Sequence, residues 1–433
     1  MLNCASVPYL YKGQKPFLMM QQKELIPHLY RTEFRKITAV LGKVFGMEHI
    51  EIAEDIVGDT FLLAAETWGL KGIPANPVAW LYTVAKNKAK DKLKRDAIFS
   101  NKIVAEIQHS SSELHEIEID LSGKNIQDSQ LQMMFAICHP GIPSEAQIGL
   151  SLRILCGFGI EEIATAFLSN KETINKRLFR AREKLKELQV KIEFPPDAEI
   201  NNRIQNVLTT LYLLFNEGYY SSTRDKVLRK DLCLEAMRLT YMLIENESTN
   251  KPFVNALLSL MCFHASRFEA RTNPKGELVL YDEQDTSLWN MELITRGEYY
   301  LNKAATGDEI SKYHLEAAIA YWHTNKDTGK SKWEQILQLY NRLLILEYSP
   351  IAALNRTYAL ANVYGNEIAI EEAEKLNLNN NHLYHSLLGD LYFTIDAQQA
   401  LDHLNHALKL SRSTADKKII MSKISKLDKQ ENS

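Results

Sequence analysis

The chain has 433 residues, too many for a single hydrophobic core, so two to four domains are expected. Its 45% hydrophobic and 24% charged residues are ordinary for a globular protein, and a net charge of −3 excludes polyanion binding over the whole surface. Any nucleic-acid role must rest on basic charge gathered in particular segments. No apolar run reaches the ~18 residues of a membrane span, so no membrane partner is expected. The cysteines (Cys4, Cys138, Cys156, Cys233 and Cys262) include no C-x-x-C pair, and their odd number argues against a disulfide framework. Buried thiols in a reducing cytoplasm fit best. His139 follows Cys138 without further ligands at metal spacing, and neither a metal nor a cofactor is expected.

In chain order, residues 1–19 read as a loose tail. They lack the basic start and apolar core of a secretory signal, and Met19 or Met20 is an alternative start. Residues 20–97 are a first helical unit. Apolar residues recur at helical spacing (Leu25, Leu29, Ile37, Val40, Leu41, Val44, then Ile56, Leu62, Leu63), and Asn76–Pro77 is a turn before the next helix. In that helix Lys86, Lys88, Lys90, Lys92, Lys94 and Arg95 are opposed only by Asp91, while Val84, Ala85, Ala89 and Leu93 face inward. Such a helix is a candidate phosphate-contacting surface. Residues 98–128, with Ser110, Ser111, Ser112, Glu113, Glu116, Glu118 and Asp120, read as a flexible acidic linker.

Residues 129–193 are a second helical unit, and IEEIATAFLSNKETINKRLFRAREKLKEL from Ile160 reads as helix, turn, helix. Ile163, Ala164 and Phe167 pack the first helix. Leu168, Ser169 and Asn170 form the turn, where Asn suits a left-handed backbone. Ile174, Leu178, Ala181 and Leu185 face inward on the second helix. Its outer face presents Lys171, Thr173, Asn175, Lys176, Arg177, Arg180 and Arg182, which suits a recognition helix. Pro195 and Pro196 mark a boundary, and residues 197–433 continue as helices. HLYHSLLGDLYFTIDAQQALDHLNHALKL has the spacing of a tetratricopeptide helix pair, and IAALNRTYALANVYGNEIAIEEAEKL is a weaker copy.

The two basic segments, in this order around an acidic linker, resemble the sigma-70 family. AEDIVGDTFLLAAETW resembles its segment that docks on RNA polymerase, NPVAWLYTVAKNKAKDKLKR its promoter-melting and −10-reading helices, and the helix-turn-helix its −35 reader. The resemblance implies that Asp55, Ile56, Asp59, Phe61 and Leu62 bind core polymerase. It places Trp80, Asn87, Lys88, Lys90, Asp91, Lys94 and Arg95 at the −10 element, with Asn87 at a flipped base. Lys171, Thr173, Asn175, Lys176, Arg177, Arg180 and Arg182 fall at the −35 element. The likeness covers residues 21–188, the two-domain plan of extracytoplasmic-function members. The start of the recognition helix departs from the family's Gly-Thr-Val-x-Ser-Arg-Leu: Lys176 stands where a small polar residue is usual, so −35 base preference does not carry over. ICHPGIPSEAQIGLSLRILCGFG, LYLLFNEGYYSS, YDEQDTSLWN, YHLEAAIAYWHT and YSPIAALNRTYAL resemble the subgroup with a tetratricopeptide-like extension.

The expected fold is therefore all-α: two small helical domains, the second a helix-turn-helix, then a larger helical-repeat extension. The expected partners are core RNA polymerase, promoter DNA, a regulatory protein or ligand, and an intramolecular contact between extension and sigma domains. No enzyme activity is expected, since Glu217, Asp282, Glu283, Asp285 and His314 would have to converge in one cleft. The alternative is a conventional helix-turn-helix regulator with a protein-interaction scaffold, which would not require the Asp55–Phe61 segment or the Asn87 helix.

Overall fold

The computed structural model describes residues 22–105, 119–167, 169–220, 230–274, 278–324, 329–411 and 414–431. The 1–19 tail, Cys4, Leu168 and the Ser110–Glu118 part of the expected linker lie outside the described residues. Regular structure among the described residues is helical, with one isolated bridge between Thr272 and Leu278. No helix among them is long and apolar enough to cross a membrane.

The chain forms two units, Met1–Thr210 and Leu211–Ser433. The first contains α1 (Gln22–Phe45), α2 (Ile50–Lys71), α3 (Pro77–Ala105), α4 (Gly123–Ile137), α5 (Ser144–Ile154), α6 (Ile160–Ala166) and α7 (Lys171–Glu187). Helix α8 (Asp197–Tyr220) starts directly after the two prolines, and the division between units falls inside it. On the expected linker, α3 runs on to Ala105 and Ile119 is buried.

Local chemistry explains the helix borders. Gly46, at φ 86°, ends α1 in a backbone region that side-chain-bearing residues rarely adopt. Pro77 opens α3, and Asn76 Oδ1 accepts from Ala79 N at 3.0 Å. Asn170 differs from expectation: its backbone is extended (φ −100°, ψ 160°), and its Oδ1 accepts from Thr173 N at 2.8 Å. It caps α7, which satisfies an otherwise orphaned donor, rather than turning left-handed.

The buried stripe of α2 is Ala53, Ile56, Val57, Thr60, Phe61, Ala64 and Trp68, whereas Leu62 and Leu63 point outward, contrary to the apolar count. A helix has one inward face, and Phe61 and Ala64 occupy it. Phe61 meets Tyr30 (5.2 Å between ring centres), and Trp68 meets Trp80 of α3 edge-on at 5.3 Å. Full burial of a large apolar side chain stabilises by roughly 1.5–3 kcal/mol. Between α1 and α3, Tyr82 Oη donates to Glu33 Oε2 at 2.6 Å, and Lys36 pairs with the other carboxylate oxygen at 2.8 Å.

Helix α4 lies against α1 so closely that a Cβ on Gly42 would come within 2.6 Å of Met133 Cε and 2.7 Å of Ile50 Cδ1. The segments before and after the serine-rich stretch thus share a core. Ile200, Ile204 and Val207, in the first half of α8, are also buried.

The second unit holds α9 (Lys230–Glu245), α10 (Pro252–Ala265), α11 (Met291–Ala304) and α12 (Lys312–Trp322), then α13 (Lys330–Leu346) to α18 (Thr414–Glu431). Helix α10 is apolar around most of its circumference and is buried on nearly every side. Beyond it, α13 and α14 (Pro350–Tyr364) share an apolar cluster with Leu315 and Ile319 of α12, α15 (Asn366–Lys375) and α16 (His382–Tyr392) share one with Leu354 of α14, and α17 (Ala397–Leu410) and α18 form a third. The two sequence segments read as repeat copies are α14–α15 and α16–α17.

Candidate nucleic-acid interface

Three surfaces of the first unit contain the expected site residues. On α2, the spacing of Asp55, Asp59, Leu62, Glu66 and Leu70 puts them in one stripe on the side away from Ala53, Val57, Ala64 and Trp68. All five are exposed, Leu62 at 60% and Leu70 at 90%. An exposed row mixing carboxylates with leucines is what a partner surface offers. Ile56 and Phe61, expected at the same surface, are core residues that hold the stripe in place. Leu70 was missed, because a leucine one turn beyond the motif carries no local mark of exposure.

Helix α3 buries Leu81, Ala85 and Ala89 and turns Asn87, Asp91, Lys94 and Arg95 outward, with Lys88 and Lys90 half-buried at the flanks. Lys88 Nζ lies 3.6 Å from Asp59, so the basic helix and the acidic stripe adjoin. Trp80 is half-buried, its ring held by Trp68.

On α7 the expected inward set Ile174, Leu178, Ala181 and Leu185 is buried. Lys171, Thr173, Asn175, Lys176 and Arg180 are exposed. A groove of about 420 Å³ runs between Ile142, Pro143 and Ala146 on one side and Thr173, Lys176, Arg177, Arg180 and Lys184 on the other. Lys171 pairs with Glu161, and Lys176 with Glu172 at 2.7 Å. Arg177 is more constrained: it pairs with Glu145 at 3.1 Å and lies 5.6 Å from the centre of the Phe167 ring. Arg182 stands apart from this face. Its Nη2 is 3.1 Å from Glu54 and its Nη1 3.4 Å from Glu51, so it ties α7 to the start of α2. These partners lie 128 and 131 positions away in the chain, a distance over which no local pattern could reveal them.

The other expected groups have structural work. His314 Nδ1 lies 3.0 Å from Ser311 N at the cap of α12, its Nε2 is 3.1 Å from Ala304 O, and burial lowers its pKa. Asp285 Oδ1 accepts from Ser287 N at 2.9 Å. Burial pushes the Cys138 and Cys262 thiols up to about 12, which keeps both protonated and unreactive near neutrality.

Residues 29–97, the helices that carry the stripe and the Asn87 face, match sigma-70 region 2. Residues 203–305 match a family of unknown function (DUF6596). An uncharacterized protein of Rhizobium meliloti (strain 1021) is 31% identical over 350 residues, covering 79% of this chain and 82% of the relative. No solved structure matches. The chain belongs to one family with the Rhizobium protein, and its residues 29–97 carry a sigma-70 region 2. That region implies core RNA polymerase and promoter DNA as partners.

Proposed function

We infer that the chain is an alternative sigma factor of the extracytoplasmic-function type, which binds core RNA polymerase and directs it to particular promoters. The observation that carries this reading is the exposed Asp55–Asp59–Leu62–Leu70 stripe beside the Asn87 face, inside the region 2 match. The stripe would dock on polymerase, its leucines losing water and its carboxylates setting orientation. The α3 face would then hold unpaired −10 bases. Unstacking a base costs a few kcal/mol, and contacts to the freed single strand offset it at about 1–3 kcal/mol per stacked base. Asn87 can hydrogen-bond a base edge, while Lys88, Lys90, Lys94 and Arg95 attract phosphates.

Helix α7 would enter the major groove at the −35 element, with Thr173, Asn175 and Lys176 nearest the bases and Lys171, Arg177 and Arg180 on phosphates. The protein would lend sequence specificity to a polymerase and catalyse nothing itself, and its place of action would be the cytoplasm. The stacked pairs α13–α18 are tetratricopeptide-like, and stacked helix pairs form extended surfaces suited to regulation by a protein or ligand. Cutting the chain at Pro196 would strip Ile200, Ile204 and Val207 from the first unit's core, so the informative truncation ends after Tyr220. A regulatory extension should change transcript yield when removed in this way; an unchanged yield counts against that role.

The direct test of docking is co-elution of the full chain with purified core RNA polymerase. The unaltered protein should co-elute, and Leu62→Glu with Leu70→Glu should abolish this without unfolding the chain, since both side chains are exposed. Equal binding by the double variant would refute the assignment of the stripe.

A further inference from the structure

The second unit contains a group of buried cations that the proposed function leaves unused. Arg267, just after α10, is 8% exposed. Its Nη2 lies 3.4 Å from Tyr219 Oη and 3.3 Å from His264 Nδ1, and its guanidinium carbon is 5.5 Å from the centre of the Tyr281 ring. Lys332, at 4% exposure, brings Nζ to 3.3 Å from Tyr281 Oη. Further rings close the surroundings. Tyr281 is 6.2 Å from Trp289 and 5.2 Å from His323, and His323 is 5.8 Å from Trp333.

Burial of a cation is costly without a counter-charge. Among the described residues no carboxylate forms an ion pair with Arg267. The histidines supply no counter-charge either. Burial foremost, then Arg267, lowers both, His323 to about 3. They are therefore neutral and each has a single N–H to give. His323 Nδ1 and Trp289 Nε1 are buried without a hydrogen-bond partner. A cation lacking an anion and two polar atoms lacking partners thus lie around one tyrosine ring, in a setting where buried polar groups are ordinarily satisfied.

We propose that Arg267, Lys332, Trp289 and His323 form a binding site for a small organic carboxylate. Arg267 supplies the counter-charge, Lys332 Nζ beside Tyr281 Oη adds to the positive potential, the Trp289 and His323 N–H groups donate to the carboxylate oxygens, and the rings of Tyr281 and Trp333 cover the ligand's carbon part. A monoanion fits better than a phosphate dianion, because the cost of removing an ion from water rises with the square of its charge. The inference stands independently of the sigma-factor reading, since it uses only residues of the second unit.

The test is isothermal titration of the full chain with benzoate at constant ionic strength, with inorganic phosphate and chloride as comparators, alongside melting temperature. Saturable binding of benzoate, a raised melting temperature, and an affinity at least tenfold weaker in Arg267→Gln are expected. Where Arg267→Gln does not fold, Lys332→Gln takes its place, and the melting shift of the unaltered chain stands by itself. Absence of saturable heat with an unmoved melting temperature would overturn the proposal. So would equal affinity in a folded Arg267→Gln, or phosphate binding as tightly as benzoate.

Discussion

Tyr82 and Glu33 show how a single buried carboxylate can join two helices. Glu33 is nearly inaccessible, and its two oxygens are taken by Tyr82 and Lys36. Burial, then Glu33 itself, raises the Tyr82 pKa, so the phenol remains a donor at any physiological pH. Tyr82→Phe leaves one carboxylate oxygen short of a partner and should lower unfolding free energy by about 1–3 kcal/mol in denaturant titration. A second residue gives a pH signature. Burial raises Glu316 from 4.5 to about 7, against the opposing pull of Lys312 and a 3.4 Å hydrogen bond from Tyr212. The folded chain therefore holds a proton that the unfolded chain has lost between these values. This contribution is complete below pH 4.5 and disappears as pH rises through about 7. Glu316→Gln should flatten that part of the stability–pH profile, and an unaltered slope would exclude Glu316 as its source.

At the scale of elements, the helices were legible wherever one face is apolar and the borders carry caps. Ile174, Leu178, Ala181 and Leu185 of α7 and Ala85 and Ala89 of α3 lie inside as their spacing indicates. The reading was weaker where apolar residues exceed what one face can bury. Leu62 and Leu63 fit the apolar spacing and yet are exposed, Leu62 in agreement with the surface position that the family resemblance implies. Asn170 was legible as a junction residue, but its chemistry is that of a cap, since an Asn side chain can serve either purpose and backbone direction decides. The helix pair α16–α17 meets closely at Gly389. A Cβ there would meet Leu404 Cγ at 2.7 Å and the Ala400 carbonyl at 3.3 Å. Gly389→Ala should force the helices apart and cost about 1–3 kcal/mol, read as a lowered melting temperature. An unchanged value would show that α17 shifts freely.

At the scale of the whole molecule, the least legible feature is the sharing of one core by the region 2 helices and the α4–α7 segment. Gly42, Ile50 and Met133 meet across it, and Arg182 ties α7 to Glu51 and Glu54. No periodicity predicts such a contact, because it depends on where distant segments come to rest. Partly exposed ion pairs of this kind contribute about 0–1 kcal/mol each, weak enough for phosphates to take Arg182 over. In the sigma-factor reading the tie competes with DNA. Glu51→Ala with Glu54→Ala should then tighten promoter binding by the chain with core polymerase, by at most about thirtyfold for two pairs of that strength. Unchanged or weaker binding would show that the tie does not oppose DNA.

The most direct measurement is run-off transcription with purified core RNA polymerase and the full chain on a library of promoter templates. Transcripts that start at defined sites only when the chain is present, and that fail with Asn87→Ala, are the predicted result. Absence of both core binding and transcript would contradict the sigma-factor account.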